Sequence, residues 1–424
     1  MGDRKSCPPT SYSPRLLPPV YCLLSARLPP MTARGFCRGS VAVPAALAIA
    51  VFAAVLSLTT RPVETHPRIT TTLLWAQDIA PILQRRCFTC HSPNNVAMSL
   101  TTYAEARPWA AAIREEVLIR QMPPWSAVAG YGRFENDPSL TQGEWDLLVA
   151  WVDGGAPSGQ TLQEAEVAPV FVPGEAIWQH GEPDAVVKPA AEHRVAASAP
   201  DQVQRFEIPT GFTTDQRVHG IGFKPGERRV VRYASIFESG TNRWLFTWTP
   251  WYTTMHLPEG VAFTIKAGAK LTVEVGYRGV EEDASDRSEL GFYFDKAPSG
   301  GVAATQLLQG PGVEVAPGGQ ATRTRAEIVL DETAALQAVY PEVGPGTTSL
   351  ELTAILPDGG VRPLLWLRDY RLDWPSSYVN LDPVPLPRGS RLVMTTYVTN
   401  TRDTPVKAQP RLHLTRVPTS ASTF

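Results

Sequence analysis

The residues in this sequence with the clearest chemistry are two cysteines three positions apart, followed at once by a histidine. Cys87, Cys90 and His91 form the pattern C-x-x-C-H. Two thiols at this spacing can each add to a vinyl group of one haem, and the imidazole beside them can then bind the iron. The pattern therefore predicts one covalently attached haem c, with His91 as the proximal axial ligand.

Two other sites also use paired cysteines, and the surrounding sequence argues against both. A thioredoxin-like redox pair needs a preceding strand and a parallel sheet, whereas the residues before Cys87 have a helical pattern. A zinc knuckle needs two more Cys or His nearby, and the next histidine is His180. Haem attachment is the interpretation that fits the local sequence best.

A six-coordinate haem needs a second axial ligand, and two methionines follow the motif closely. Met122 lies 31 residues after His91, beside Pro123 and Pro124, which stiffen an extended loop. Met98 lies only seven residues after His91, a short distance for crossing a haem. Either methionine could instead fill a core. We expect Met122 to be the distal ligand and His/Met ligation to favour electron transfer.

The elements that would position these ligands are helices. Ile79, Ile82 and Leu83 lie on one side of a predicted helix over 78–86. A second helix is predicted over 103–120, and a third after Thr141, which has capping-box spacing to Glu144. Three helices around a haem motif predict a small all-α domain of the class I cytochrome c type over residues 73–158.

Residues 1–60 are interpreted as a targeting region. The apolar run over 41–58 follows Arg34 and Arg38, as in an export signal, and is also near the minimum length for a membrane anchor. Cleaved signal and uncleaved anchor both stay open. Seven prolines precede Met31, which suggests that translation starts there. We expect a periplasmic or exported protein, which an uncleaved segment would anchor to the membrane.

Charge and cysteine content narrow the functional classes. The chain has 39 basic and 41 acidic residues, and the part from residue 61 onwards has 33 and 40. This acidic balance argues against nucleic acid as a partner. Of five cysteines, only Cys87 and Cys90 lie beyond residue 60, which excludes a disulfide framework.

From about residue 188 the sequence alternates with the period of β-strands, after a Pro- and Gly-punctuated linker over 159–187. We expect two antiparallel β-sandwiches of the jelly-roll type, at 188–300 and 318–424. Aromatic residues at 244–252 also alternate, as in a sheet core or a sugar-binding platform. The predicted strands cover 205–208, 217–223, 229–237, 270–277, 289–294, 349–356, 364–367 and 391–398.

Several short motifs, taken in their order along the chain, are similar to those of a known protein family. The chain resembles bacterial proteins in which a cytochrome c domain is fused to the paired jelly-roll domains of type II copper, ascorbate-dependent monooxygenases. The haem part of the resemblance rests on residues 75–81, 87–91, 122–125, 134–137 and 151–157. The sandwich part rests on residues 208–213, 223–226, 356–359 and 386–389.

The copper ligands that this resemblance implies are missing. Arg232 and Tyr233 stand where the family has a His pair, Gly276 stands where a third His is expected, and no His-Met-His run follows Pro341. The histidines after His91 are His180, His193, His219, His256 and His413, and no two of them form an i, i+2 or i, i+4 pair. We therefore expect no copper and no copper monooxygenase activity.

These observations predict an exported monohaem electron carrier with redox-protein partners, whose sandwiches act as a scaffold or docking surface. Two rivals stay open. One is a haem-linked oxidoreductase that uses non-standard copper ligands, and the other is a binding module in which the haem senses redox state. The electron donor, the electron acceptor and any substrate are not encoded in recognisable motifs.

Overall fold

Antiparallel β-strands dominate the computed structural model, which describes residues 69–159, 178–296, 300–318 and 321–419. The predicted signal or anchor at 41–58 lies outside these residues. Within them, no helix has both the length and the apolar character needed to cross a membrane.

The first sandwich packs a six-stranded sheet, β1-β11-β4-β8-β12 with β7 also paired to β4, against a four-stranded sheet, β3-β9-β5-β6. A separate pair, β2 with β10, lies beside them. The strands are β1 (Ala185–Val187), β2 (His193–Val195), β3 (Gln202–Pro209), β4 (Gln216–Lys224), β5 (Val231–Glu238), β6 (Arg243–Trp248), β7 (Thr254–His256), β8 (Val261–Ile265), β9 (Lys270–Tyr277), β10 (Ala284–Asp286), β11 (Glu289–Phe294) and β12 (Gly301–Val302).

The second sandwich packs two four-stranded sheets, β13-β22-β16-β19 and β15-β20-β17-β18, with β14 and β21 as a separate pair. Its strands are β13 (Ala304–Gln309), β14 (Val313–Val315), β15 (Thr322–Val329), β16 (Ala334–Glu342), β17 (Thr347–Ile355), β18 (Val361–Arg368), β19 (Tyr378–Leu386), β20 (Arg391–Val398), β21 (Val406–Ala408) and β22 (Arg411–Val417).

The prediction of antiparallel β-sandwiches is confirmed. Strands β9, β11 and β20 begin and end at the residues that alternation predicts. β15 alternates between exposed and covered residues because it lies at a sheet edge, whereas nearly every residue of β16 is buried. The segment expected to separate the sandwiches, 298–317, contains β12 to β14, and β12 pairs with β8 while β13 pairs with β22.

The two sandwiches share a continuous apolar core. Tyr340 of β16 stacks on Trp244 of β6, with ring centroids 5.4 Å apart, and Ser235 Oγ donates to the Tyr340 hydroxyl at 3.1 Å. Ala335, Ala338 and other residues of the second sandwich belong to the buried cluster of the first. Burial of this much apolar surface joins the two sandwiches into one body.

Short helices precede the sandwiches. A π-helical turn, Trp75–Ile79, leads into α1 (Ala80–Arg86), and α2 (Tyr103–Ala106) is followed by a 3-10 turn, Arg107–Trp109, and α3 (Ala110–Leu118). The single helix predicted over 103–120 is therefore interrupted, at the turn that contains Pro108, because proline lacks the N–H that continues the ladder. The capping box of Thr141 and Glu144 begins α4 (Gln142–Asp153), as predicted.

The prediction of a small all-α cytochrome c domain is wrong. The longest helix among the described residues has twelve residues, and all described residues belong to one compact unit, Pro67–Phe424. The helices do have a small core, in which Trp75 and Trp151 lie 5.9 Å apart. The part of the chain between α3 and α4, however, pairs with strands of the second sandwich.

This connection is the bridging segment, residues 121–137. Its backbone pairs with the second sandwich through isolated bridges from Ala127 to Leu367 and from Phe134 to Asn380. The buried Asn136 donates from Nδ2 to the Ser377 carbonyl at 2.7 Å. A periodicity analysis misses this arrangement because single bridges to strands more than 200 residues away leave no repeating pattern in the local sequence.

Candidate functional site

A cavity lies where the helices meet both sandwiches. Its walls contain Cys87, Cys90, His91 and Met122, the residues that the sequence predicts as one site. Its other lining residues are Arg86, Thr89, Ala97, Pro123, Pro124, Pro138, Trp251 and Trp374.

The C-x-x-C-H segment forms a tight turn at the end of α1. The backbone N–H of Cys87 donates to the Leu83 carbonyl at 2.7 Å, and the N–H groups of Cys90 and His91 both donate to the Cys87 carbonyl, at 3.0 and 2.8 Å. These bonds hold the two thiols and the imidazole on one turn of backbone that directly follows α1. The position of α1 therefore fixes where these three side chains lie.

His91 has the orientation and charge state of a metal-binding imidazole. Its Nδ1 is 3.0 Å from the Met98 carbonyl oxygen, to which a neutral ring donates. Nε2 is then the nitrogen with a free lone pair. Burial lowers the pKa of His91, which keeps the ring neutral near pH 7.

Cys87 and Cys90 are free thiols that lie near each other without a disulfide. Burial raises the pKa of each to about 12, and for Cys87 the neighbouring Cys90 adds to the increase. Neither thiol is therefore a ready thiolate nucleophile in the manner of a redox-active pair. Their environment fits residues that serve as attachment points better than residues that exchange disulfides.

The two candidate methionines differ clearly. Met122 lines the cavity, whereas the Met98 side chain is 46% exposed and does not. The Met122 loop is held by the second sandwich, since Arg371 Nη1 lies 3.4 Å from the carbonyl oxygen of Gln121 and also contacts its side chain. The structure thus brings Met122, rather than Met98, to the same cavity as His91.

Sequence analysis missed the part of the cavity that the sandwiches supply. Trp251 comes from the loop after β6, and Trp374 from the loop before β19, with their ring centroids 5.7 Å apart. The Arg232 guanidinium lies over the Trp374 ring, 4.1 Å from its centroid. Alternating aromatics made Trp251 noticeable, but no local pattern linked it to Cys87.

Three of the histidines that seemed isolated in the sequence lie close together elsewhere. The ring centroids of His180 and His256 are 4.7 Å apart, and those of His219 and His256 are 5.5 Å apart. Burial, followed by the charges of His180 and His219, lowers the pKa of His256 to about 4. Across the described residues, no group of three or more His, Cys, Asp or Glu is arranged to hold a metal ion.

Comparisons with known proteins give no relative. No protein-family model matches the chain, and no curated protein matches its sequence. The major capsid protein P2 of bacteriophage PM2 is 12% identical, with a TM-score of 0.24, over 57% of this chain and 99% of that one. Peptide: N-glycanase F is 10% identical, with a TM-score of 0.25, over 56% and 97%. A carbohydrate-binding module of the β-sandwich superfamily is 10% identical, with a TM-score of 0.15, over 56% and 99%.

The resemblance to cytochrome c domains fused to copper monooxygenase-like domains is wrong as an identification. The helices do not form a separate all-α domain, and across the described residues no group of three or more His, Cys, Asp or Glu is arranged to hold a metal ion. The position where the resemblance implies a third copper ligand has no room for a side chain. A Cβ at Gly276 would lie 2.1 Å from the Tyr233 ring, so a histidine could not stand there without displacing that tyrosine.

Proposed function

We propose that the chain carries one haem, attached covalently through Cys87 and Cys90, and that it transfers single electrons. The observation that carries this proposal is the shared cavity of Cys87, Cys90, His91 and Met122. It rests on these residues and their geometry alone. When bound, the haem iron would supply a one-electron couple between its ferric and ferrous states.

Each residue has a separate task. The two thiols would attach the ring, and His91 would bind the iron through Nε2 while the Met98 carbonyl fixes its orientation. Met122 would also bind the iron, through its sulfur. A thioether ligand would raise the reduction potential and favour electron transfer over oxygen chemistry.

The surrounding side chains fit a group that is mostly apolar. Pro123, Pro124, Pro138 and the two tryptophans, Trp251 and Trp374, form much of the cavity wall. They exclude water, and a low local dielectric constant raises the potential of a buried haem. Covalent attachment in an exported protein also agrees with the apolar export segment of the sequence. The natural partners would be redox proteins that exchange electrons at the protein surface.

The test is to express the full chain in a host that attaches haem c in its periplasm. We expect one iron per chain, sharp α and β bands after reduction, and haem that stays on the protein under denaturing conditions. A Cys87→Ala, Cys90→Ala double variant should lose the covalent haem. Absence of covalent haem from the wild-type chain would refute the proposal.

The distal ligand has its own matched pair of variants. Met122→Ala should abolish the charge-transfer band between methionine sulfur and ferric iron and lower the reduction potential. Met98→Ala removes an equivalent side chain that is exposed and outside the cavity, so it should keep the band. Loss of the band in Met98→Ala with retention in Met122→Ala would show that the ligand is assigned to the wrong methionine.

A further inference from the structure

Three buried N–H groups beside the cavity have no hydrogen-bond partner. They are Nε1 of Trp251, Nε1 of Trp374 and Nε of Arg232. A buried donor without a partner costs stability, and most such groups in proteins find an acceptor. Three of them at one place indicate that the site is built for an acceptor that the polypeptide does not itself supply.

The three groups lie together on the sandwich side of the cavity. Both tryptophans line it, and Arg232 packs over the ring of Trp374 at 4.1 Å.

The local charge is positive. Arg232 is 94% buried, and the carboxylate nearest to it, that of Asp373, is 3.6 Å away and already bound by Arg371 at 2.7 Å. Arg232 and Arg371 therefore share one carboxylate, which leaves an excess of one positive charge among these three side chains.

Donors combined with excess positive charge select an anion with acceptor oxygens, and a carboxylate is the simplest such group. The haem of the proposed function is apolar except for two propionate carboxylates, which together carry two negative charges. We propose that Trp251, Trp374 and Arg232 bind these propionates. The inference rests on the proposed function and assigns the anionic end of the haem to the β-sandwiches.

This assignment gives the sandwiches a direct part in the site. The helices supply the thiols and His91, the bridging segment supplies Met122, and each sandwich supplies one tryptophan. The helices and both sandwiches belong to one compact unit, so all of these groups can meet around one haem.

The experiment follows the ionisation of the haem propionates, seen as a pH-dependent step in the reduction potential. Arg232→Gln removes one positive charge, so this ionisation should move upward by about one pH unit or more. Arg232→Lys keeps the charge and should move it less. Trp374→Phe and Trp251→Phe remove an N–H donor and part of the ring but no charge, and should each give a smaller upward shift.

Trp248→Phe is the matched control, because its Nε1 is also buried without a partner, but Trp248 does not line the cavity. It should leave the ionisation unchanged. Covalent haem in every variant, with the ionisation unmoved in Arg232→Gln and Trp374→Phe, would overturn the inference and leave the proposed function intact. Absence of haem from the wild-type chain would overturn both. If Arg232→Gln does not fold by circular dichroism, the two tryptophan variants decide.

Discussion

Replacing Trp125 with alanine should weaken the joint between the helices and the second sandwich. Trp125 lies three residues after the proposed ligand Met122, and its ring packs on the buried Tyr378 and on Phe134, with centroids 4.8 and 6.0 Å away. Each aromatic pair contributes about 0.5–1.5 kcal/mol beyond burial of area. The two pairs and the partly buried indole together suggest a loss of about 3 kcal/mol in the free energy of unfolding.

Urea unfolding measured in parallel by tryptophan fluorescence and far-UV circular dichroism tests this value. With a denaturant slope of roughly 3 kcal/mol per molar, the transition that includes the second sandwich should move down by about 1 M. Trp109→Ala is the control, because Trp109 is 44% exposed on the 3-10 turn and should cost less than about 1 kcal/mol.

Two results would refute the reasoning. The helices could unfold in a transition of their own whose midpoint does not change in Trp125→Ala, which would make them an independent domain after all. Alternatively, Trp125→Ala could be no more destabilising than Trp109→Ala. Either result would mean that the bridging segment lies on the second sandwich without stabilising it.

Three further outcomes follow from single residues. Folding lowers the pKa of His256 from 6.5 to about 4, so the unfolded chain binds more protons than the folded chain between these pH values. The free energy of unfolding should therefore fall as the pH drops from 6.5 to 4. His256→Gln should flatten this pH dependence in urea titrations at several pH values. Gly276→Ala places a methyl group 2.1 Å from the Tyr233 ring and should cost about 1–3 kcal/mol by thermal unfolding. Gly143→Ala, in α4 with no atom within 4 Å of the added Cβ, should instead stabilise by about 0.5–1 kcal/mol, and a loss there would contradict the helix assignment.

Local patterns determined the strands and the ends of the helices. Alternation predicted β9 because one face of this strand packs into a core and the pleat repeats every two residues. The capping box at Thr141 and Glu144 gave the start of α4 because it acts within four residues. The grouping of Cys87, Cys90 and His91 was likewise available, since one turn of backbone holds all three.

The helical patterns also led to the wrong prediction of a separate helical domain. Amphipathic helices reveal that an apolar face must be covered, but not which surface covers it. The expectation of a self-contained all-α domain assumed that the helices cover one another, whereas the bridging segment carries Trp125 and Phe134 into the core of the second sandwich. The order of segments along the chain could not distinguish these two arrangements.

The sequence by itself was enough to predict the β-sandwiches, to identify the motif of Cys87, Cys90 and His91, and to select Met122 as a candidate ligand. Only the tertiary structure decided that Trp251 and Trp374 line the same cavity as Cys90, and that Arg232 packs over Trp374, although these residues lie more than 100 residues away from Cys90 along the chain. The physical reason is that periodicity and capping act over a few residues, whereas a cavity is enclosed by whichever surfaces the packing of complete sheets brings together.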